Sequence, residues 1–424
     1  MLDLKFIRDN IDAVRLNIKN KNESADVDQI PQLDEKRRSI IQEVEKLKNL
    51  RNVVSKEIAQ LKKDGQNADD KIASMKDVSD NIKRLDDELR ITEEQIYQVQ
   101  LYIPNMTGPD VVAGKSAADN QIIRSWGDEY KKEVERNHID IATDLAIIDF
   151  ERGAKVSGSG FAFYRGKGAK LERALINFML DYHLDNHGYT ELMSPYLVNE
   201  KSMYGTGQLP KMAEDMYHAQ EDNVYLIPTA EVPITNYHYD EMLPNEKLPI
   251  KYCGFSPCWR REAGSYGKEV RGFLRVHQFN KVEMVNFSRP DKSWEQLEIL
   301  LSEAEDIVKA LKLHYRVLRL CSGDTSFASS MTYDIEVWSP GEKNWLEVSS
   351  CSNFTDFQGR RANIRFRPEP NAKPEFIHTL NGSGLATSRI MVAMLEQYTD
   401  SDNCFHVPEA LRKYTGFETI SKND

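Results

Sequence analysis

The chain has 424 residues, 40% of them apolar and 29% charged, with a formal net charge of −11. That length exceeds what one hydrophobic core usually supports, so two domains are expected. No apolar run reaches the roughly 18 residues of a membrane-spanning helix, and the acidic balance argues against indiscriminate nucleic-acid binding while leaving room for a local basic surface.

The first segment, MLDLKFIRDNIDAVRLNIKNKN, mixes acids and bases among its apolar residues. It reads as an amphipathic helix and not as a signal peptide. From about Leu33 apolar residues recur at heptad spacing: Leu33, Ile40, Val44, Leu47, Val54, Ile58 and Leu61, with Arg37 and Arg51 interrupting the seam. The stretch DGQNAD at 64–69 supplies turn residues and no apolar anchor. A second run, Ile72, Met75, Ile82, Leu85, Leu89, Ile96 and Val99, ends at Pro104, which has no N–H to continue a helix. Two narrow stripes about a short turn predict an antiparallel coiled-coil hairpin. At 1.5 Å per residue the arm would be about 45 Å long. The expected division is 1–103, with the arm at about 33–101 and its tip at 64–69, and 104–424, with a linker at about 104–120.

The two arms of this hairpin differ in charge. Lys36 to Lys63 holds nine basic residues and three acids, whereas Asp70 to Glu94 holds five basic residues and eight acids. A basic ridge of Lys36, Arg37, Arg38, Lys46, Lys48, Arg51, Lys62 and Lys63 suits the phosphate backbone of a nucleic acid. A solvated coiled-coil face would show the same residues. No aromatic side chains interleave with the basic ones, so RNA would be read by shape and backbone.

Beyond the loop-rich linker, strands are predicted at 189–198, 224–234, 251–262, 273–287, 333–340 and 344–353, and helices at 168–188, 293–313 and 383–398. Several strands follow one another directly, which predicts an α+β fold with an antiparallel sheet. Neither a dinucleotide fingerprint nor a Walker loop nor a His-Glu-x-x-His motif occurs. The cysteines (Cys253, Cys258, Cys321, Cys351 and Cys404) are odd in number and form no Cys-x-x-Cys pair. No zinc site is expected, and reduced thiols in a cytoplasmic protein are.

The stretch CWRREAGSYGKEVRGFLRVHQFNKVEM, 258–284, concentrates basic residues in an acidic protein. Its second half alternates, with Arg275, His277, Phe279, Lys281 and Glu283 on one face and Leu274, Val276, Gln278, Asn280, Val282 and Met284 on the other. A solvated surface strand would alternate too. Arginines and carboxylates on strands also suit phosphate chemistry, which works by positioning and charge neutralisation.

Three stretches taken together carry a resemblance: Gly188-Tyr189-x-x-Leu192-x-x-Pro195; Arg260-x-Glu262, a glycine-rich loop and Arg275-x-x-x-Phe279; and Gly382-x-Gly384-Leu385-Ala386-x-x-Arg389, which is expected to open a helix. In this order they resemble the three motifs of class II aminoacyl-tRNA synthetases. Thr229-Ala230-Glu231, REAGSYG, RVHQFNKVEM, Glu347-Val348-Ser349-Ser350, NGSGLA and the N-terminal hairpin look like the seryl-tRNA synthetase family. The likeness covers nearly the whole chain. Ala386 stands where many class II members have a third glycine, and Val348 where isoleucine is more usual.

The resemblance implies ATP-dependent formation of seryl-adenylate, then transfer of serine to the 3′ end of tRNA(Ser), with tRNA(Sec) left open as a second acceptor. Arg260 would bridge the serine carboxylate and the α-phosphate, a task for a forked guanidinium. Glu262 and the backbone near Val276 would take the adenine, Phe279 would stack on it, and Arg389 would hold the γ-phosphate. Arg261, Val348 and Ser349 belong to the same ATP-binding blocks. Glu347 and Ser350 would supply hard oxygen ligands to Mg²⁺ on the phosphates. Thr229 and Glu231 would receive the serine ammonium, and Glu283 with Ser383 the hydroxyl. Ser265, Tyr266, Lys268 and Arg271 would face the tRNA acceptor end, and the glycines of the third motif would let backbone approach the ligand. His277 and Lys281 carry no assigned role, nor do His378 and His406. A homodimer is expected. Two rival readings are a relative that loads an amino acid onto a carrier protein, which would lack the basic arm, and a non-catalytic relative, which would have lost Arg260, Glu262 or Arg389.

Overall fold

The computed structural model describes residues 1–134, 136–263 and 272–422. The described chain divides into two compact units, Leu2–Lys19 with Glu23–Pro104, and Met1 with Asn20–Asn22 and Asn105–Asp424.

The smaller unit is dominated by α1 (Gln29–Lys63) and α2 (Asp69–Gln100). They form the hairpin that the heptads predict, turning at residues 64–68. Their seam is thin: Ile40, Val44 and Leu85 are buried, with Leu47 and Leu89 packed against them. Polar pairs across the seam supplement it, Lys36–Glu88 at 3.0 Å, Arg37–Glu93 at 2.9 Å, Lys48–Asp86 at 3.2 Å and Lys71–Glu57 at 2.5 Å. The charge difference between the two arms is therefore partly what joins them. The N-terminal segment forms two short helices, Leu4–Asp9 and Ile11–Asn20, where one was expected.

The larger unit is built on an eight-stranded sheet. In chain order its strands are β1 (Gln121–Trp126), β2 (Thr190–Glu191), β3 (Ile250–Trp259), β4 (Gln278–Ser288), β5 (Tyr315–Arg319), β6 (Met331–Ser339), β7 (Asn344–Asn353) and β8 (His378–Ala386). In space the order is β1-β5-β6-β7-β8-β4-β3-β2. Neighbours run antiparallel except β2, which runs parallel to β3. Helices α3 (Lys167–His187), α4 (Ser293–Ala310) and α5 (Thr387–Tyr398) pack on it. Leu175, Met179, Leu300, Leu301, Ile390 and Leu395 share a core with Val282 and Met284 of β4. Alternation along β4 turns Lys281 and Glu283 to the opposite face, where Val285 and Phe287 pack with Ala230 and Ile234.

Four boundaries differ from the sequence reading. The strand expected over 189–198 is two short pieces, Thr190–Glu191 and Leu197–Asn199, because Pro195 between them has no ladder donor. The strand expected over 224–234 stops at Leu226 and gives way to a helix, Glu231–Asn236. Pro233 is tolerated there because the first turn needs no N–H donors. The strand expected from 273 begins at Gln278. The helix expected from 383 begins at Thr387, so the third-motif glycines lie on β8. A Cβ at Gly384 would sit 2.5 Å from His183 Nε2, and one at Gly382 would sit 2.9 Å from Cys351 Sγ. A side chain at Gly384 would therefore strike α3, and one at Gly382 would crowd Cys351 of β7 and Leu300 of α4. β1, β5 and β8 were not foreseen.

Candidate active site

A cleft of about 360 Å³ lies over the centre of the sheet. Apart from Arg261, every residue that the resemblance assigns to serine, ATP or Mg²⁺ lines it: Thr229, Glu231, Arg260, Glu262, Val276, Phe279, Glu283, Glu347, Val348, Ser349, Ser350, Ser383 and Arg389. They arrive from the segment that follows β3, from β4 and the residues just before it, from β7, β8 and the start of α5, and from the first residue of the Glu231–Asn236 helix and the turn before it. Glu283 and Ser383 are direct partners across β4 and β8, which holds their side chains a few ångströms apart. Opposite Glu283 on β3 stands Gly254, where a Cβ would meet Leu192 O at 2.5 Å and Ile234 Cδ1 at 3.0 Å. Without a side chain there, the short helix that begins at Glu231 packs close to β3.

At one end of the cleft are two buried carboxylates. Thr229 Oγ1 donates to Glu283 Oε2 at 3.1 Å, and Lys281 Nζ pairs with the same oxygen. Glu231 accepts from Gln358 Nε2 at 2.6 Å, and its N–H donates to Thr229 Oγ1 at 3.2 Å. Burial pushes the Glu231 carboxyl up to about 7; the Glu283 charge adds to this, and the Gln358 bond, Lys281 and Arg260 oppose it. Arg260 follows β3 directly. Its guanidinium carbon is 5.2 Å from the Phe279 ring centroid and its Nε donates to Pro228 O at 3.4 Å.

The other end is more open. Arg275 Nη1 donates to Glu262 Oε2 at 2.6 Å, so Glu262 pairs with Arg275 and not with its near neighbour Arg260. Arg389 Nη1 donates to Glu347 O at 3.0 Å and reaches Glu347 Oε2 at 3.4 Å, while its Nε donates to Leu274 O at 3.2 Å. Arg261 stands apart, its N–H on Asp215 O and its guanidinium 5.9 Å from the Tyr217 ring.

The oxygen donors of the cleft suit a hard cation. Glu347 and Ser350 both line it, and Asp334 pairs with Ser350 across β6 and β7. One Asp334 oxygen, Oδ1, is buried with no donor among the described residues, and burial raises this carboxyl well above the usual range, with the Glu347 charge adding. An orphaned carboxylate oxygen beside Glu347 and Ser350 fits Mg²⁺.

The structure adds residues to which the sequence alone assigned no role. Arg275, Lys281, Asn381 and the segments Thr206–Gln208 and Ser326–Ala328 line the cleft, and Gln358 anchors Glu231 from behind. Lys281 had a signal, since it alternates in phase with Phe279 and Glu283. Gln358 had none. His277 is satisfied structurally, its Nδ1 on Arg260 O at 3.0 Å and its ring stacked on Phe161. His378 Nδ1 meets Ser293 Oγ at 2.8 Å, and His406 meets Asp400 at 2.6 Å.

Of the arm candidates, Lys36, Arg37 and Lys48 are committed to acids of the facing helix, and Arg38 pairs with Asp34 at 3.2 Å. Lys46, Arg51, Lys62 and Lys63 make no ion pair with a described residue. Ser265, Tyr266, Lys268 and Arg271 lie outside the described residues.

Residues 214–398 match the family model of the tRNA synthetase class II core domain (G, H, P, S and T), which puts this sheet and cleft in the class II synthetase fold. Residues 1–107 match the seryl-tRNA synthetase N-terminal domain. A serine–tRNA ligase of Chlorobium phaeobacteroides (strain BS1) is 54% identical over 426 residues, covering 99% of this chain and 100% of the relative. That of Clostridium tetani is 49% identical with full coverage of both. Among solved structures, seryl-tRNA synthetase from Pyrococcus horikoshii complexed with ATP superposes with a TM-score of 0.92 at 37% identity, covering 99% of each chain. The cytoplasmic serine–tRNA ligase of Naegleria fowleri in complex with AMP gives 0.86 at 31%, also covering 99% of each. The chain belongs to the seryl-tRNA synthetase family.

Proposed function

We propose that this chain ligates L-serine to tRNA(Ser) at the expense of ATP, through a seryl-adenylate. One observation carries the reading: residues assigned to serine and residues assigned to ATP arrive from separate segments of the chain and meet in one cleft. In the first step a serine carboxylate oxygen bonds to the α-phosphorus and pyrophosphate leaves. Arg260 neutralises both anions as they approach, acting as an electrostatic clamp at the developing charge. In the second step the terminal tRNA hydroxyl attacks the acyl carbon and AMP leaves. Glu231 and Thr229 receive the ammonium, Glu283 and Ser383 the hydroxyl, and Phe279, Glu262 and the Val276 backbone the adenine. Glu347, Ser350 and the orphaned Asp334 oxygen would hold Mg²⁺, which neutralises phosphate charge when bound. Arg389 takes the γ-phosphate by leaving Glu347.

Within this reading 1–103 is the tRNA-binding domain and 104–424 the catalytic domain of a cytoplasmic homodimer. Lys46, Arg51, Lys62 and Lys63 are the arm residues best placed for phosphates, because they have no acid partner to give up. Among the described residues no helix is long and apolar enough to cross a membrane.

The test is transfer of labelled serine to bulk tRNA by the full chain and by a version lacking residues 33–101. Charging by the full chain alone, with both versions forming seryl-adenylate, supports the enzyme and makes the arm the tRNA reader. Charging by neither moves the carrier-protein reading to the front. A tRNA(Sec) transcript in the same assay decides the second acceptor.

A further inference from the structure

Lys281 is buried, yet it sits in the cleft wall beside a substrate-facing carboxylate. A buried ammonium is costly unless it is paired, so its placement needs a reason. Lys281 and Glu283 are two residues apart on β4 and point to the same face. The β4–β8 ladder shifts register beside them, with Lys281 opposite Ala386 and Glu283 opposite Ser383, so the extra residue lies on β8 while the alternation of β4 against β3 is unbroken. Lys281 Nζ and Thr229 Oγ1 both engage Glu283 Oε2. No donor among the described residues reaches Oε1.

We propose that Lys281 is a positioning and specificity-determining residue of the amino-acid pocket, holding Glu283 as an ion-paired carboxylate whose Oε2 is saturated and whose Oε1 is left to accept the substrate hydroxyl. This rests on serine being the substrate. An ion-paired carboxylate can only accept, so an amino acid entering the pocket must bring a donor. Alanine brings none and leaves a buried anion oxygen unmet, the arrangement by which a polar site rejects an analogue lacking its hydroxyl. Without Lys281 the carboxyl at 283 would face Glu231 with no cation of its own, and a proton there would turn it into a donor as well as an acceptor. The requirement for a substrate donor would relax. Lys281 is poorly placed to serve ATP instead: its ammonium is committed to Glu283, and three arginines in the same cleft are better suited to phosphate.

The test is serine-dependent and alanine-dependent ATP–pyrophosphate exchange by the unaltered protein and by Lys281→Met, Lys281→Arg, Glu283→Gln and the double variant Lys281→Met/Glu283→Gln. For Lys281→Met we expect kcat/KM for serine to fall roughly 100-fold, the scale of breaking a buried pair. KM for ATP should change less than about threefold, and the serine-to-alanine preference should shrink. Lys281→Arg should recover at least about tenfold of the loss, and the double variant should be no worse than Glu283→Gln alone, since paired residues act as a unit. Equal losses for serine and ATP with unchanged preference would overturn the proposal, as would strictly additive single losses. If Lys281→Met melts below the assay temperature, Lys281→Gln, which keeps a hydrogen bond without the charge, carries the same expectation. Absence of serine-dependent exchange by the unaltered protein would overturn the serine reading itself, a result the variants cannot produce.

Discussion

Serine affinity should depend on pH through one side chain, Glu231. Its carboxyl, ordinarily near 4.5, is pushed up to about 7 in the empty cleft by burial and the neighbouring Glu283. Only the ionised form can pair with the serine ammonium. With that value about half of the protein is competent at pH 7, about one-eleventh at pH 6 and about ten-elevenths at pH 8. KM for serine should therefore rise about fivefold from pH 7 to pH 6 and fall less than twofold from pH 7 to pH 8. Serine stays a zwitterion throughout, so its own groups contribute nothing. The same shift acts on the fold. A carboxyl raised above its unfolded value stabilises at low pH and loses that contribution as pH climbs through about 7. Roughly 3 kcal/mol is at stake between pH 4 and pH 8, and bound serine should return part of it. The assay is ATP–pyrophosphate exchange at saturating ATP across pH 6–8, with thermal melts of the empty protein alongside. A flat KM over that range, or one that rises toward alkaline pH, would refute the assignment of Glu231 to the ammonium.

Three further outcomes are expected. Glu283→Gln should lose serine activation far more than ATP binding, read as separate KM values in exchange; similar losses of both would remove Glu283 from the hydroxyl site. Gly384→Ala should lower stability by about 1–3 kcal/mol in a urea titration, as overpacking does, because its Cβ would stand 2.5 Å from His183 Nε2, which bonds Gly384 O at 3.0 Å; an unchanged midpoint would contradict the packing role of that glycine. Alanine at Lys46, Arg51, Lys62 and Lys63 together should raise KM for tRNA and flatten its salt dependence, whereas alanine at Lys48, paired with Asp86, should do so much less; equal effects would mean the cross-helix pairs open on binding.

The elements legible in the sequence were those with a strong period or a hard stop. The heptads of α1 and α2 and the alternation of β4 survive in the structure because each buries one stripe or one face. Boundaries were lost where a local rule competes with a run of β-formers. VYLIPTAEVPI reads as one strand by composition, but Thr229 Oγ1 accepts the Glu231 N–H and starts a helix. The glycines of NGSGLA read as a turn into a helix, yet contact with α3 and with Cys351 governs them on β8. Side-chain partners were less visible than positions. The in-phase alternation of Lys281 with Glu283 placed both on one face, but only coordinates show that they share an oxygen with Thr229. Gln358 lies 127 residues from the Glu231 it anchors, and no pattern in the chain connects the two.

The balance of charge in the cleft explains why each ion stands where it does. Four carboxylates line it, Glu231, Glu262, Glu283 and Glu347, and four cations, Arg260, Arg275, Lys281 and Arg389. Three pairs form among them: Arg275 with Glu262, Lys281 with Glu283 and Arg389 with Glu347. Glu231 and Arg260 are left over. Burial pushes the Glu231 carboxyl up to about 7 and an amide holds it, while Arg260 rests on the Phe279 ring and a carbonyl. One unpaired acid and one unpaired base across a small cleft is the complement of an amino-acid zwitterion. The pairs also differ in how easily they can be exchanged. Arg389 and Glu347 are 30% and 47% exposed, so trading that contact for a phosphate and a hydrated cation loses little. Lys281 and Glu283 are 7% and 1% exposed, where parting the two would cost several kcal/mol. On the proposed assignments, the open Arg389–Glu347 pair can change partners at the polyphosphate during each turnover, while the buried pair keeps the hydroxyl acceptor fixed.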